Sequence, residues 1–161
     1  MDAPRLAMTF ACFTQAAPTI TDTLRRLGAL VAERGLDKAL TELVKLRASQ
    51  LNGCAFCLQF HLGIARRLGV PAEKIDLLCV WRETDLFTAR ERAALAWTEY
   101  LTLLHHDETR TAAETALAAQ FTPDEILSLT VAIGTINQWN RIAVGLGFPP
   151  QIPQRPGPGS G

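Results

Sequence analysis

The chain has 161 residues, enough for one domain with a sizeable core. Hydrophobic residues make up 48% of it and charged residues 20%, which is typical of a folded globular protein and excludes a disordered one. Sixteen basic and sixteen acidic residues balance, so electrostatics gives no case for nucleic acid or a charged membrane surface as a partner.

No apolar run approaches the roughly 20 residues that span a bilayer. Residues 6–17 are the one candidate for a secretory hydrophobic region, but they contain Thr and Gln and lead to no clear cleavage site. We therefore expect a cytoplasmic protein without a signal peptide, whose thiols stay reduced unless its own chemistry oxidises them.

Apolar residues at three- and four-residue spacing predict a series of helices. In the first half these are a helix from Thr19 to a stop at Gly35, one capped by Asp37 and ended by Asn52-Gly53, and one from beside Cys54 to about Arg67. In the second half they are a helix opened by Val70-Pro71 and reaching Trp81, one after a capping box of Thr88 and Glu91, a short one around 112–119, and one from Thr122-Pro123 to about Leu146.

No segment alternates with period two, and no Gly-rich phosphate loop or internal repeat is present. The sequence predicts an all-α fold, a compact multi-helix bundle forming a single domain over residues 1–148. Pro4 and Pro18 argue against one continuous helix at its beginning. Residues 149–161 are rich in Pro and Gly, and we expect them to be extended or disordered.

The stretch from Glu42 to His61 concentrates residues that can do chemistry. Cys54, Cys57 and His61 have i, i+3, i+7 spacing and would share one helix face. Glu42 lies one helix earlier, where its side chain could return toward that face. Such a cysteine pair indicates redox or metal chemistry. A structural zinc site would need a fourth ligand that no second Cys/His cluster supplies, so we predict neither a metal nor a cofactor.

The same residues predict how a thiol could be activated. His61 lies one turn beyond Cys57 and can take its proton, while the helix start beside Cys54 favours a thiolate there. Glu42 near His61 would orient the imidazole. A sulfenic acid on one cysteine can condense with the other thiol to a disulfide. The pattern predicts a reducible dithiol that handles peroxide or exchanges disulfides.

Simpler interpretations remain open for each residue. The cysteine pair could be two small core residues, and His61 an ordinary surface or core histidine. His105-His106 is best interpreted as a solvated turn, Cys79 as a packed core thiol, and Cys12 has no assigned role.

The segment ELVKLRASQLNGCAFCLQFH carries a Glu, eleven residues, Cys, two residues, Cys, three residues and His. In this it resembles the carboxymuconolactone decarboxylase superfamily, in its alkylhydroperoxidase D-like branch. LLCVWRETDLFTARERAALAWTEYLT and LTVAIGTINQWNRIAVGLG resemble the same branch in the same order. The resemblance covers roughly residues 10 to 150.

The resemblance implies an all-helical homo-oligomer, often a trimer or hexamer, with thiol-dependent peroxidase activity. By position it makes Cys57 the peroxidatic cysteine, Cys54 the resolving cysteine, His61 the proximal base and Glu42 its partner. The helix start alone favours Cys54 as the more acidic thiol, but we favour Cys57 because of the histidine one turn away. The implied partners are a hydroperoxide substrate and a dithiol reductant, either a lipoylated or a thioredoxin-like protein.

One position departs from the branch. Its lipoyl-linked peroxidases have a second histidine just before the second cysteine, where this chain has Phe56. The expectation is then a slow peroxidase, or one whose oxidant is bulkier and apolar. The alternatives are a non-enzymatic redox-sensing or binding oligomer and, further behind, a lactone decarboxylase, whose branch lacks the cysteine pair.

A polar and aromatic group interrupts the last apolar helix, from Asn137 to Arg141. Arg141 could pair with a carboxylate such as Glu42 or with one across a subunit contact. The equally weighted alternative is packing plus helix capping.

Overall fold

Every regular element in the computed structural model, which describes residues 7–104 and 109–152, is a helix. They are α1 Phe10–Ala16, α2 Pro18–Glu33, α3 Lys38–Leu51, α4 Ala55–Arg67, α5 Ala72–Asp76, the 3₁₀ helix Leu78–Glu83, α6 Ala89–Leu103, α7 Thr109–Ala118 and α8 Pro123–Leu146. The all-α prediction is confirmed. In these two ranges no helix combines the length and the apolar character needed to cross a membrane.

The predicted capping residues do begin the helices. Thr88 and Glu91 form a capping box at α6, and Thr122 with Glu125 forms another at α8. The Asp37 carboxylate accepts the Leu40 N–H at 2.7 Å and so starts α3. These local signals explain why the sequence located most helix starts.

Helix α3 lies inside the bundle and packs on α4, α6 and α8, while α8 packs on α2, α3, α4, α6 and α7. The α3 side chains Leu43, Val44 and Leu46 are almost completely buried. Burying one such side chain contributes about 1.5–3 kcal/mol. This anchoring fixes the direction in which the polar residues of α3 project.

A tight turn joins α3 to α4. Gly53 has a φ of +63°, a left-handed conformation that favours glycine. The turn allows the Cys54 N–H to donate to the Ser49 carbonyl at 3.0 Å. Helices α3 and α4 therefore run antiparallel and in contact, which brings the Glu42 turn of α3 beside the His61 turn of α4.

An aromatic cluster closes one end of the bundle. It consists of Phe10, Phe13, Phe56, Trp139 and Phe148, whose ring centroids lie 5.3–6.3 Å from their neighbours. The Met8 N–H donates to the Leu146 carbonyl at 3.0 Å and ties the segment before α1 to the end of α8. The cluster packs against both cysteines of the predicted site.

The prediction of a single helix after Val70-Pro71 is wrong. The chain forms the short α5, breaks at Leu77 and continues as a 3₁₀ helix in which Val80 has a non-helical φ of −120°. Leu78 and Trp81 are buried in the core, whereas Leu77 and Val80 are exposed, so this stretch packs through two short helices rather than one continuous α-helix.

Cys79 lies in the same stretch and is exposed, so its prediction as a packed core thiol is also wrong. Helix α7 begins at Thr109, three residues before the expected start. The predicted turn at His105-His106 lies outside the described residues. Phe148 is buried and residues 149–152 are exposed without regular structure, while the rest of the predicted tail lies beyond the described range.

Candidate active site

The two cysteines lie side by side at the start of α4. Cys54 is the N-cap residue, and its Sγ accepts the Cys57 backbone N–H at 3.3 Å. Both are free thiols, and their exposed fractions are only 2% and 4%. A sulfur in the N-cap position faces the positive end of the helix dipole, which favours a thiolate there.

The interaction between the two thiols gives them different pKa values. The hydrogen bond with the Cys57 thiol lowers the pKa of Cys54 to about 7, against the opposing effect of burial. The Cys57 N–H and the Asn140 amide also contribute to this lowering of the Cys54 pKa. The interaction with Cys54, followed by burial, raises the pKa of Cys57 well above its ordinary value. The first proton that the pair loses as the pH rises therefore leaves its negative charge mainly on Cys54, with a pKa of about 7.

His61 and Glu42 meet as the sequence predicted. His61 Nδ1 lies 2.6 Å from Glu42 Oε2, and their side chains are 12% and 6% exposed. Burial alone raises the pKa of the Glu42 carboxyl, but hydrogen bonds and charges from His61 and Lys45 hold it below its ordinary value. An ionised carboxylate only accepts hydrogen bonds, so His61 donates from Nδ1, and in the neutral imidazole Nε2 is then the proton acceptor.

Lys45 is the member of this group that the sequence analysis missed. Its Nζ lies 2.8 Å from Glu42 Oε1. The i, i+3 spacing of Glu42 and Lys45 on one helix was the available signal. We name Glu42, Lys45 and His61 the ionised triad.

Direct hydrogen bonding of His61 to Cys57, on which the preference for Cys57 rested, does not occur in the described part of the chain. His61 instead bonds to Glu42.

Of the alternatives left open for Arg141, the structure shows bonding within the helix, and no ion pair with Glu42 forms among the described residues. Arg141 Nη1 donates to the carbonyl and to the side-chain oxygen of Asn137, at 3.1 and 3.0 Å. These residues are one turn apart on α8, so the bonds form within the helix. The carboxylate of Glu42 is already bonded to Lys45 and His61.

On the other side of the cysteines lies a set of neutral polar side chains, which we name the amide network: Ser49, Asn52, Thr102, Asn137 and Asn140. Asn52 Nδ2 donates to Asn137 Oδ1 and Asn140 Oδ1, both at 2.9 Å. Asn140 Nδ2 donates to Ser49 Oγ at 3.0 Å. Asn137 Nδ2 donates to Thr102 Oγ1 at 3.1 Å. These bonds connect α3, α6 and α8 behind the thiols.

A cavity of about 410 Å³ opens on the other face of α4. Its wall includes Cys57 and the ionised triad, whereas Cys54 is absent from it. The remaining described lining residues are Phe10, Leu24, Arg25, Gly28, Val31, Ala32, Leu36, Lys38, Thr41, Phe56, Phe60, Ile64, Leu68, Ala132, Thr135, Ile136 and Trp139. Volumes of 300–1,000 Å³ with mainly apolar walls are typical of small-molecule sites.

Phe56 forms part of this wall and also belongs to the aromatic cluster. The position that a second histidine occupies in the resembling peroxidases is thus filled here by a packed apolar ring. Among residues 7–104 and 109–152, no three His, Cys, Asp or Glu side chains are grouped so that they could hold a metal ion.

Comparisons with known proteins agree with this geometry. The sequence pattern of the carboxymuconolactone decarboxylase family matches residues 18–100. The uncharacterized protein YdfG of Bacillus subtilis (strain 168) is 32% identical over 115 residues, which are 71% of this chain and 78% of that protein. The chain therefore belongs to the carboxymuconolactone decarboxylase family.

Solved structures indicate the branch of the family to which the chain belongs. A protein of unknown function from Agrobacterium tumefaciens, for which the role of antioxidant defence protein AhpD has been suggested, is 38% identical. It superimposes with a TM-score of 0.83 over 88% of this chain and 97% of that one. The chain lies in the alkylhydroperoxidase D-like branch of the family. The debrominase Bmp8 shares only the fold, at 18% identity and a TM-score of 0.77 over 86% of this chain and 74% of that one.

Proposed function

We propose that the protein is a thiol-dependent peroxidase, which reduces organic hydroperoxides through a dithiol–disulfide cycle of Cys57 and Cys54. The observation that supports this most is that Cys57 reaches the cavity wall beside His61, with the more acidic Cys54 behind it. A hydroperoxide in the cavity would meet Cys57 first. Membership of the alkylhydroperoxidase D-like branch is consistent with the proposal.

In the first step Cys57 attacks the terminal oxygen of the hydroperoxide. The O–O bond breaks, Cys57 becomes a sulfenic acid, and the alkoxide leaves. The Cys57 proton passes through Nε2 of His61 to the alkoxide, giving an alcohol. Because His61 and Cys57 share the cavity wall without a direct bond, we expect the proton to travel through the substrate or one water. The Glu42 carboxylate stabilises the imidazolium that forms.

In the second step the Cys54 thiolate attacks the sulfenic sulfur. The S–O bond breaks, hydroxide leaves and takes a proton from solvent, and the disulfide forms. Two electrons have then passed from the dithiol to the hydroperoxide. An external dithiol restores both thiols by disulfide exchange. The lowered pKa of Cys54 suits this role, because the resolving residue is ionised before the sulfenic acid appears.

The exposed apolar side chains Ile20, Leu27 and Leu30 on α2 support the further proposal that copies of this chain associate. We propose a homo-oligomer, trimeric or hexameric, whose size light scattering after gel filtration would measure. A protein dithiol, lipoylated or thioredoxin-like, is the proposed reductant, and a cytoplasmic location remains an expectation.

The second candidate is a redox sensor without turnover. The near-complete burial of both cysteines favours it, because a covered disulfide would exchange slowly with a protein reductant. The debrominase Bmp8 has a similar fold, so the fold alone does not specify peroxidase chemistry. A lactone decarboxylase remains the least supported alternative, since it would leave the cysteine pair without a role.

Steady-state consumption of cumene hydroperoxide with dihydrolipoamide tests the proposal. Cys57→Ser should lower turnover by at least about a thousandfold, because the nucleophile is lost. Cys12→Ser is the matched control, since Cys12 is exposed outside the cavity, and should leave turnover unchanged. Equal rates for wild type and Cys57→Ser would contradict the proposal. A single reduction without sustained turnover would favour the sensor.

A further inference from the structure

The cavity wall carries more positive than negative charge. Arg25, Lys38 and Lys45 line it together with one acidic residue, Glu42. Glu42 and Lys45 neutralise one another at 2.8 Å. Arg25 and Lys38 form no ion pair within the described residues, so the wall retains two cations that lack an acidic partner.

The two cations lie at different places along the cavity. Arg25 lies over the Phe10 ring at 5.4 Å, and Phe10 packs on Phe56 next to Cys57. Cys57 and Leu68 both line it and are eleven residues apart on α4, which is about 16 Å of helix axis. Because α3 runs antiparallel to α4, Lys38 at its first turn lies toward the end remote from Cys57. The walls between the two ends are mainly apolar.

No acidic side chain among the described residues forms an ion pair with Lys38. Asp37 precedes it in the chain, but its carboxylate accepts the Leu40 N–H and caps α3. Glu33 pairs with Arg26 at 3.7 Å and lies outside the cavity wall. Lys38 is exposed at the mouth, where its stem can lie along the apolar wall while its ammonium group stays in water.

We propose that the preferred oxidant is a long-chain hydroperoxide bearing a carboxylate, such as a fatty-acid hydroperoxide. Its hydrocarbon fills the cavity, its hydroperoxide meets Cys57, and its carboxylate pairs with Lys38, with Arg25 adding to the positive field. This inference rests on the peroxidase function proposed above and specifies its substrate class. The chemical step is the same two-electron reduction, and its products are the hydroxy fatty acid and water.

The test compares a linoleic acid hydroperoxide with its methyl ester, which has the same chain and peroxide but no charge. Cumene hydroperoxide, small and neutral, reports peroxidase activity independently. We expect wild type to favour the acid over the ester by about tenfold in kcat/KM, from two partly exposed cations that each contribute about two- to fivefold. Raising the salt concentration should reduce this preference.

Lys38→Gln should lower the acid-to-ester ratio by about two- to fivefold, and Arg25→Gln/Lys38→Gln should bring it close to one. Arg66→Gln is the matched control: Arg66 is exposed at the end of α4, outside the cavity wall and without an ion pair among the described residues, so its loss should retain the wild-type ratio. Because the acid-to-ester ratio is taken within each variant, it does not depend on a change in that variant's rate with cumene hydroperoxide; Arg66→Gln alone is expected to keep the wild-type rate.

The possible results distinguish the inference about the substrate class from the proposed peroxidase function. Activity on cumene hydroperoxide with equal use of acid and ester would overturn the substrate inference alone. A preference that Lys38→Gln and the double variant leave unchanged would overturn it as well. Consumption of none of the three hydroperoxides would overturn both proposals.

A binding measurement avoids the redox chemistry altogether. Trp139 lines the cavity, so its fluorescence should respond when decanoate enters. We expect decanoate to bind more tightly than methyl decanoate, with the difference reduced in Lys38→Gln and retained in Arg66→Gln. Equal affinity of the acid and the ester in wild type would contradict the inference.

Discussion

The two sides of the cysteine pair are built from different chemistry. Toward the cavity lies the ionised triad, whose groups exchange protons or carry charge. Behind the thiols lies the amide network, whose members have no ionisable side chain and bond to one another across three helices. The first side can move a proton, and the second can only hold positions and stabilise a charge.

This difference supports the separate roles proposed above for the two cysteines. Cys57 faces the side that can take its proton, and Cys54 lies where the N-cap position and the Asn140 amide favour a thiolate. Acidity and access to substrate are therefore assigned to different sulfurs. Proteins that rely on one activated thiol combine both in the same residue.

The largest effect is expected from disabling proton transfer on the cavity side. Glu42→Gln removes the charge that fixes the proton on His61 Nδ1, so turnover with cumene hydroperoxide should fall about a hundredfold. Steady-state kinetics measures it. Glu91→Gln is a matched control on a carboxylate that pairs with Lys74 away from the cavity. A wild-type rate in Glu42→Gln would show that the triad takes no part in proton transfer.

Disrupting the opposite side should act mainly on stability and on Cys54. Asn140→Ala leaves the bonding groups of Asn52 and Ser49 without their partner, at a cost of about 1–3 kcal/mol in the free energy of unfolding. It should also raise the pKa of Cys54, since the Asn140 amide lowers it. Chemical denaturation and a thiolate absorbance titration measure the two effects. An unchanged pKa of Cys54 in Asn140→Ala would show that the amide network does not stabilise the Cys54 thiolate.

The sequence predicted the cavity side better than the amide side. Capping signals, the cysteine spacing and the Glu42–His61 contact could be predicted because each depends on local chemistry or on two adjacent helices. The amide network joins residues 35 to 91 positions apart, such as Asn140 with Ser49, and no local pattern specifies such pairs.

The wrong predictions for Cys79 and its helix also arise because long-range packing is not encoded in a local pattern. Cys79 looked like a core residue because its neighbours are apolar, but Leu77 and Val80 face outward where the helix breaks. Which apolar face is covered depends on packing between distant elements, and neither periodicity nor composition contains that information.

The acidity of Cys54 predicts a pH dependence of stability. Its pKa falls from an ordinary value of 9.0 to about 7 in the folded state. Between pH 7 and 9 the unfolded chain therefore binds more protons, and stability should rise with pH in this window. The stabilisation is lost as pH falls through 7. Above pH 9 the raised pKa of Cys57 acts in the opposite direction.

Denaturation of the reduced protein from pH 6 to 10 measures this effect. Cys54→Ser should lose the rise between pH 7 and 9, and Cys79→Ser, on an exposed thiol, should keep it. Identical pH profiles for wild type and Cys54→Ser would place the negative charge elsewhere.

The smallest effect is expected from narrowing the cavity. Gly28 lines it, and a Cβ placed there meets nothing within 4 Å. Gly28→Leu should reduce kcat/KM several-fold for bulky hydroperoxides and leave hydrogen peroxide unaffected, while stability rises by about 0.5–1 kcal/mol. Gly134→Leu, on α8 outside the cavity wall with equally open space, should not change the preference for small peroxides.

The most direct test asks which sulfur the oxidant reaches. Each protein is treated with one equivalent of cumene hydroperoxide in the presence of dimedone, and the products are located by peptide mass spectrometry. We predict a Cys54–Cys57 disulfide in wild type, a trapped sulfenic acid on Cys57 in Cys54→Ser, and no fast reaction in Cys57→Ser. A sulfenic acid on Cys54 that forms at the wild-type rate in Cys57→Ser would contradict the division of roles between the two cysteines.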